Sequence, residues 1–168
     1  MRVVYGVDDA VAAWVAERIP HVRTCEGLGP YTAMGVASDD GRRAGGVVWH
    51  GYKPDYRTIE LSAAADDRRW LTRTVIREIF AYPFQFLNLG RVTTITPSRN
   101  RPAIHLNVKL GFQIEGIVRR GFGDDDAIVM GLLREEWLAG RWGPGDTSMI
   151  SRRFLGDFST ISPSMELH

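Results

Sequence analysis

Residues 100–112 read NRPAIHLNVKLGF and carry the clearest helix signals in the chain. Asn100 is a favourable N-cap residue, and Pro102 fits the first turn, where a missing N–H leaves no bond unmade. Gly111 suits the position just after the helix, because glycine readily adopts the left-handed backbone that ends many helices. The stretch therefore predicts a helix over residues 100–110. Three apolar residues share one face of it: Ala103, Leu106 and Leu110.

Strands are predicted on both sides of this helix. Residues 91–96, RVTTIT, are rich in β-branched side chains, which favour a strand. Residues 112–119 and 126–133 predict a hairpin that turns within residues 121–125.

The first half of the chain adds strands and helices of its own. An Asp40–Gly41 step favours a tight turn between two strands, and Asp66 or Asp67 is the expected N-cap of a helix. The resulting order is helix, three strands, helix, strand, helix, two strands, which indicates an α/β or α+β domain with a mixed sheet. The predicted elements of this half are helix 9–19, strands 31–37, 44–51 and 57–64, and helix 70–82.

Composition is that of an ordinary globular domain: 168 residues, 44% hydrophobic, 24% charged, with a net charge of +1. So small a net charge gives no support to a general nucleic-acid or membrane-surface role. No apolar run is long enough for a transmembrane helix. Cys25 is the single cysteine, so no internal disulfide can form and a cytoplasmic location is expected. The four histidines are scattered, without metal-ligand spacing, so no metal is expected.

The last part of the chain differs from the rest. Residues 140–168 are rich in glycine, proline and serine, which predicts an irregular tail after a domain that spans residues 1–139. Trp142, Phe154 and Phe158 are the side chains through which such a tail would dock on the domain.

The 100–112 stretch also carries a resemblance to a known family. It contains Asn-x-x-Ala, a leucine and Lys-x-Gly-Phe, and Glu115–Gly116 follows it. This pattern resembles the C-terminal half of the GNAT superfamily of N-acetyltransferases, and the order of elements agrees over residues 36–136. Residues 59–73 also resemble a subgroup of small bacterial and phage-associated GNAT proteins.

The resemblance implies a fold and an activity. The fold is a single domain with a mixed, mostly antiparallel sheet flanked by helices. The implied activity is acetyl-CoA-dependent transfer of an acetyl group to a primary amine, with no metal. The expected partners are acetyl-CoA and an amine acceptor that no residue identifies, and a homodimer is an open option.

Two departures from the family pattern concern the site. GNAT proteins usually carry a Gly-rich pyrophosphate loop before the helix that follows the long strand. Here Leu71 and Arg73 stand at the positions of its small residues. Many relatives also place a tyrosine, the general acid toward the coenzyme thiolate, where this chain has Asn107.

Coenzyme contacts are expected mainly at the start of the helix at residues 68–73. Helix N-termini attract anions, and the guanidinium groups of Arg68, Arg69 and Arg73 fit phosphate oxygens. The alternative is a solvated helix end whose positive charge is offset by the neighbouring aspartates. The full set of expected coenzyme-binding residues is Ser62, Ala63, Ala64, Arg68, Arg69, Trp70, Leu71, Thr72, Arg73, Asn100, Ala103 and Leu106.

Glu60 and Asn107 are the expected catalytic residues. Glu60 lies mid-strand where GNAT proteins often place a carboxylate, and it would take the proton of the amine; the alternative is an ordinary solvent-facing glutamate. Asn107 can donate a hydrogen bond near the thioester but cannot act as an acid, and a polar helix edge is its alternative role. His50 and Tyr52 are weaker candidates for the base.

Two other classes of function compete with the enzyme. One is a non-catalytic acyl-CoA-binding module on the same fold, favoured by the missing glycines and tyrosine. The other is a protein-interaction domain that uses the aromatic residues of the tail. Coenzyme binding and turnover with amines separate the three.

Overall fold

A computed structural model describes residues 1–19, 22 and 24–144 of the chain. These residues form one mixed α/β domain with seven strands and four α-helices. The strands are β1 (Arg2–Val4), β2 (Tyr31–Ala37), β3 (Arg43–Lys53), β4 (Thr58–Ala65), β5 (Arg91–Pro97), β6 (Gln113–Phe122) and β7 (Asp125–Leu133). The helices are α1 (Asp8–Ala16), α2 (Arg73–Ala81), α3 (Arg101–Leu110) and α4 (Arg134–Ala139).

The seven strands form a single sheet in the order β1-β2-β3-β4-β5-β7-β6. All neighbours are antiparallel except β4 and β5, which run parallel. The parallel pairing is short, from Thr58 opposite Arg91 to Glu60 opposite Thr93. A parallel pair needs a crossover connection, and α2 supplies it here.

Helices cover the two faces of the sheet. Because side chains alternate along β3, Val48 faces α1 while Trp49 faces the opposite side. The smaller apolar cluster joins α1 to Val48, and the larger one joins Trp49 to α2 and to Phe112 at the end of α3. The ring of Trp49 meets Phe80 of α2 edge-on, with centroids 6.0 Å apart.

The predicted mixed, mostly antiparallel sheet flanked by helices is confirmed. So are the caps of α3. The Asn100 side chain accepts a hydrogen bond from the N–H of Ala103, and Gly111 has a φ of 106°. Gly41, at the predicted turn, also has a positive φ, of 85°.

The start of α2 was predicted wrongly. The helix begins at Arg73 and not at Trp70, and its N-cap is Thr72, whose hydroxyl accepts from the N–H of Val75. The two aspartates have other partners. Asp66 pairs with Arg18, and Asp67 accepts from the backbone N–H of Arg69.

Other element bounds also differ from the sequence prediction. Helix α1 ends at Ala16 and not at residue 19, and β3 continues to Lys53. Strand β1 and helix α4 were not predicted, because three and six residues are too few to show a period.

The chain after α4 turns back over the helices as far as Pro144. The indole N–H of Trp142 donates to the carbonyl of Lys109 at 2.7 Å, and the Nε–H of Arg77 donates to the carbonyl of Gly143 at 3.0 Å. Phe154 and Phe158 lie outside the described residues.

Candidate active site

The sheet opens between its two parallel strands. Beyond Glu60 and Thr93, β4 and β5 no longer pair with each other. Residues 61–65 pair with β3 on one side only, and residues 94–97 pair with β7 on one side only. Each strand therefore presents a free backbone edge to the gap. Backbone N–H and C=O groups at such an edge need partners from water or from a ligand.

A cavity of ≈ 960 Å³ occupies this gap. Strands β4 and β5 form two of its walls, and α3 forms a third. The end of α1, Trp70 and the β6–β7 turn complete it. The residues that line it are Arg18, Ile19, Leu61, Ser62, Ala63, Ala64, Ala65, Asp66, Trp70, Thr94, Ile95, Thr96, Pro97, Arg99, Asn100, Ala103, Leu106, Asn107, Phe122, Asp124 and Asp125.

The cavity brings together one part of the expected coenzyme site. Eight expected residues line it: Ser62, Ala63, Ala64, Trp70, Asn100, Ala103, Leu106 and Asn107. The other expected residues lie off its wall: Glu60, Arg68, Arg69, Leu71, Thr72 and Arg73. The strand and the third helix therefore meet at the cavity as expected, whereas the arginine-rich turn lies beyond its rim.

The three arginines of this turn have separate surroundings. The Arg69 guanidinium is 89% exposed and lies 3.6 Å from Asp67. The Nη2–H of Arg73 donates to the backbone carbonyl of Arg141 at 3.0 Å, so this side chain also holds the chain that follows α4. Arg68 is exposed. Among the N–H groups of the first turn of α2, that of Val75 donates to the Thr72 hydroxyl, while those of Arg73 and Thr74 have no acceptor within the helix.

Trp70 directly precedes Leu71, the first of the two residues that replace the small residues of the family pattern. The side chain of Trp70 is buried, and its ring lies against Gly45 of β3. The ring thus fills the space between the end of β4 and the start of α2. Trp70 contributes an apolar wall to the cavity, and its burial anchors the turn that carries the arginines.

Asn107 projects from α3 toward the sheet. Its amide Nδ2–H donates to Oγ1 of Thr94 at 3.2 Å, and the same nitrogen lies 3.9 Å from the sulfur of Met130. Thr94 is buried. The amide that was expected to serve the thioester therefore also satisfies a buried hydroxyl of the sheet.

A cluster of polar side chains, His50, Glu60 and Ser62, lies on the face of β3 and β4 that packs against α1. The Nε2 atom of His50 is 2.8 Å from Oγ of Ser62, and its Nδ1 atom is 3.9 Å from Oε2 of Glu60. Ser62 lines the cavity, while Glu60 stands behind it beside the imidazole. Burial lowers the pKa of His50, and the charge of Glu60 opposes this by a smaller amount.

The comparisons with known proteins give structural matches only. No protein-family model matches this sequence, and no curated protein matches it in a sequence search. Mutant forms of the spermidine/spermine N-acetyltransferase SpeG from Vibrio cholerae match with a TM-score of 0.59 at 23% identity, over 64% of this chain and 69% of that chain. The dodecameric spermidine N-acetyltransferase of the same organism gives 0.60 at 21%, over 68% and 71%. A probable acetyltransferase gives 0.57 at 23%, over 64% and 63%.

The chain has the fold of these acetyltransferases. On this fold, the gap between the parallel strands holds the cavity that the eight expected residues named above line.

Charged residues on the cavity wall were missed by sequence reasoning. Arg18 binds Asp66 with two hydrogen bonds, of 3.0 and 3.1 Å, and its guanidinium lies 3.9 Å from the centroid of the Trp14 ring. Arg99 lies 3.2 Å from Asp124. Nothing in the local sequence relates these pairs, because their partners are distant along the chain.

Neither a membrane-spanning helix nor a metal-ligand cluster is found in the described part of the chain. None of its helices has the length and apolar character needed to cross a bilayer. Residues 1–19, 22 and 24–144 contain no group of three or more His, Cys, Asp or Glu side chains placed to hold a metal ion.

Proposed function

We propose that this protein is an acetyl-CoA-dependent N-acetyltransferase that acetylates a primary amine. The observation that carries the proposal is the separation of β4 and β5 after Glu60 and Thr93, which opens a cavity of ≈ 960 Å³ next to the start of α2. A ligand with amide groups can complete the free strand edges of such a gap, and an anion fits the adjoining helix N-terminus.

The residues present fit coenzyme A on chemical grounds. Its pantetheine arm carries amides, which match the free backbone edge of residues 61–65. Ala63, Ala64 and Ala103 have small side chains, so the pantetheine arm can come close to the backbone of β4 and to helix α3. The phosphates of coenzyme A carry several negative charges, which match the guanidinium groups of Arg68, Arg69 and Arg73 at the start of α2.

Acetyl-CoA supplies a thioester, whose carbonyl is open to attack by a neutral amine. The chain must then orient the acyl group, keep the amine unprotonated and stabilise charge on the oxygen. Free backbone N–H groups of β4 and the amide of Asn107 are the donors we assign to the oxygen and the sulfur. Loss of a tyrosine acid is tolerable, since a thiolate is a much better leaving group than an amine.

The acceptor is proposed only as a class. Two of the solved structures named above are of spermidine/spermine or spermidine N-acetyltransferases, whose substrates are polycations. In this chain the three wall carboxylates all have partners: Asp66 pairs with Arg18, Asp124 pairs with Arg99, and Asp125 accepts from the Ser98 hydroxyl. Because these carboxylates already have partners, they do not by themselves select a polycation. The panel of amines tested as acceptors therefore includes monoamines and amino acids as well as polyamines.

Coenzyme binding is tested first, with the full chain. Acetyl-CoA at a hundred times its dissociation constant adds about 2.7 kcal/mol of stability, which is roughly 5–10 °C in melting temperature for a domain of this size. No shift with acetyl-CoA or coenzyme A at millimolar concentration would overturn the proposal. Light scattering on the same sample tests whether the protein is a homodimer, the option that the sequence leaves open.

Turnover is tested second, by release of the coenzyme thiol with each amine of the panel and by mass analysis of the product. Transfer to at least one amine supports the enzyme. A clear melting shift without transfer to any amine would make the protein an acyl-CoA-binding module. A chain that binds no coenzyme but captures a protein through its tail would favour an interaction domain.

A further inference from the structure

Three side chains of β3 and β4 form a polar group at the edge of the cavity. Glu60 is the cross-strand partner of His50, and Ser62 lies two residues further along β4, on the same face. The imidazole of His50 lies between them, with Nε2 2.8 Å from the Ser62 hydroxyl and Nδ1 3.9 Å from the Glu60 carboxylate. Only Ser62 of the three touches the cavity.

Burial distinguishes the members of this group. The His50 side chain is 14% exposed and that of Glu60 is 36% exposed. A partly buried imidazole resists protonation, so His50 is neutral at neutral pH and can accept a proton. Other titratable groups on the packed elements are Tyr31 of β2, which lies opposite His50, and Asp9 of α1, which accepts a hydrogen bond from the Tyr31 hydroxyl.

An acceptor amine brings a proton that has to leave. An alkylamine with a pKa of about 10.4 is neutral in only about one molecule in two thousand at pH 7. Glu60 was the residue expected to take this proton. In the structure it stands behind His50, and Ser62 is the member of the group that an amine in the cavity can reach.

We propose that Ser62 and His50 form a proton relay that deprotonates the acceptor amine, in a site whose acyl transfer is the function proposed above. The ammonium group passes a proton to Ser62 Oγ as the Ser62 hydroxyl proton moves to Nε2 of His50. The neutral amine nitrogen then bonds to the thioester carbon and the carbon–sulfur bond breaks. The excess proton that the nitrogen still carries passes to the leaving thiolate, which becomes the coenzyme thiol, and the imidazolium releases its proton to solvent.

Glu60 has a supporting role in this relay. Its carboxylate is too far from Nδ1 for a hydrogen bond, but its negative charge stabilises the imidazolium that forms. Glu60 is therefore a positioning and electrostatic residue, and His50 acts through Ser62.

The test compares three variants with one control. Ser62→Ala removes the hydroxyl, His50→Gln keeps a hydrogen-bonding side chain that cannot carry the proton, and the double variant removes both. Thr58→Ala is the matched control, because it deletes a hydroxyl from the same face of β4 outside the cavity. The acetyl-CoA melting shift verifies that each variant folds and binds. Where His50→Gln does not fold, Ser62→Ala with rescue by Ser62→Thr decides.

The relay predicts a specific pattern of rates with the best amine of the panel. At pH 7 each single variant loses about 100-fold in kcat, and the double variant loses no more than the worse single one. The loss shrinks as the pH approaches the pKa of the amine, because more substrate is already neutral. Glu60→Gln keeps the plateau rate but moves the acidic limb of the pH profile to lower pH, since its charge no longer raises the pKa of His50.

Three outcomes would overturn the relay. The first is a wild-type rate for Ser62→Ala or His50→Gln across pH 6–9, which leaves the acetyltransferase intact and the relay wrong. The second is a large plateau loss in Glu60→Gln, which restores Glu60 as the base. The third is an acetyl group on the Ser62 peptide after mixing with acetyl-CoA alone, which makes Ser62 a nucleophile. Absence of any transfer by the wild type removes the proposed function and the relay together.

Discussion

The ring of Trp70 lies directly on the backbone of Gly45. A Cβ atom at Gly45 would be 2.7 Å from Cδ2 of this ring, closer than real Cβ contacts come, and nearer still to Cε3. The two residues are far apart in the sequence, and their contact fixes the turn between β4 and α2. The turn carries the arginines to which we assign the coenzyme phosphates.

Gly45→Ala is predicted to destabilise the fold and to displace this turn. The added methyl group meets a buried aromatic ring, and overpacking of this kind costs about 1–3 kcal/mol. Urea unfolding measures the change. Gly27→Ala is the control, because an added Cβ there has no atom within 4 Å and should change stability by less than about 0.5 kcal/mol. Equal effects of the two substitutions would contradict the packing of Trp70.

Arg68→Ala and Arg73→Ala are predicted to weaken acetyl-CoA binding by roughly ten-fold each and to flatten its salt dependence. In the proposed site each guanidinium forms charge-assisted bonds to phosphate oxygens, and screening by salt would weaken such bonds. Titration calorimetry at two salt concentrations measures both effects. Arg119→Ala, which removes an exposed charge from the edge strand β6, is the control.

Wild-type affinity in both arginine variants would place the phosphates elsewhere, or on backbone N–H groups alone. Arg73→Ala has a second expected effect, because Arg73 also donates to the carbonyl of Arg141. Faster proteolysis after α4 in this variant, but not in Arg68→Ala, would report that contact.

Asn107→Ala is predicted to reduce stability more clearly than catalysis. The substitution leaves the buried hydroxyl of Thr94 without its amide donor, a loss of about 1 kcal/mol. A double-mutant cycle with Thr94→Val measures the coupling, which should be about 0.5–1.5 kcal/mol. The rate should fall only modestly, since Asn107 donates a hydrogen bond and no proton. Additive effects of the two substitutions on stability would contradict the hydrogen bond between Asn107 and Thr94. A rate loss of 100-fold or more would contradict the modest role in catalysis.

His50 is predicted to make the fold less stable in mild acid. Burial lowers its folded-state pKa below the unfolded value of about 6.5. The unfolded state therefore binds the proton first, and stability that is complete above that pH is lost as the pH falls through it toward the folded pKa. The free energy of unfolding, measured by urea from pH 7.5 to 5.5, should fall more steeply in the wild type than in His50→Gln. Parallel curves would contradict the prediction.

Most of the fold could be predicted from local sequence. The α3 helix shows a cap, a proline, an apolar face and a closing glycine within thirteen residues, and each signal acts over one turn. The alternating and β-branched strands are local in the same way. Strand β1 and helix α4 were missed because segments so short are stabilised by their neighbours in space rather than by their own pattern.

The candidate site was predicted only in part. Ser62, Asn100 and Asn107 were expected at the site, and all three line the cavity, because each lies on an element whose type and direction the sequence shows. The N-cap of α2 was misplaced because several residues near its start can cap a helix, and the local sequence does not choose among them. The hydrogen bond between Asn107 and Thr94 could not be predicted from the local sequence, since it joins a helix to a strand.

The sequence by itself determined the class of fold, the order of its elements and the helix that suggests acetyl transfer, because caps, turns and apolar periods depend on neighbours along the chain. Only the tertiary structure decided where β4 and β5 separate, which arginine each wall carboxylate faces, and that Ser62 rather than Glu60 borders the cavity with His50 behind it. These relations depend on strand register and burial, and both are set by the packing of residues distant in sequence.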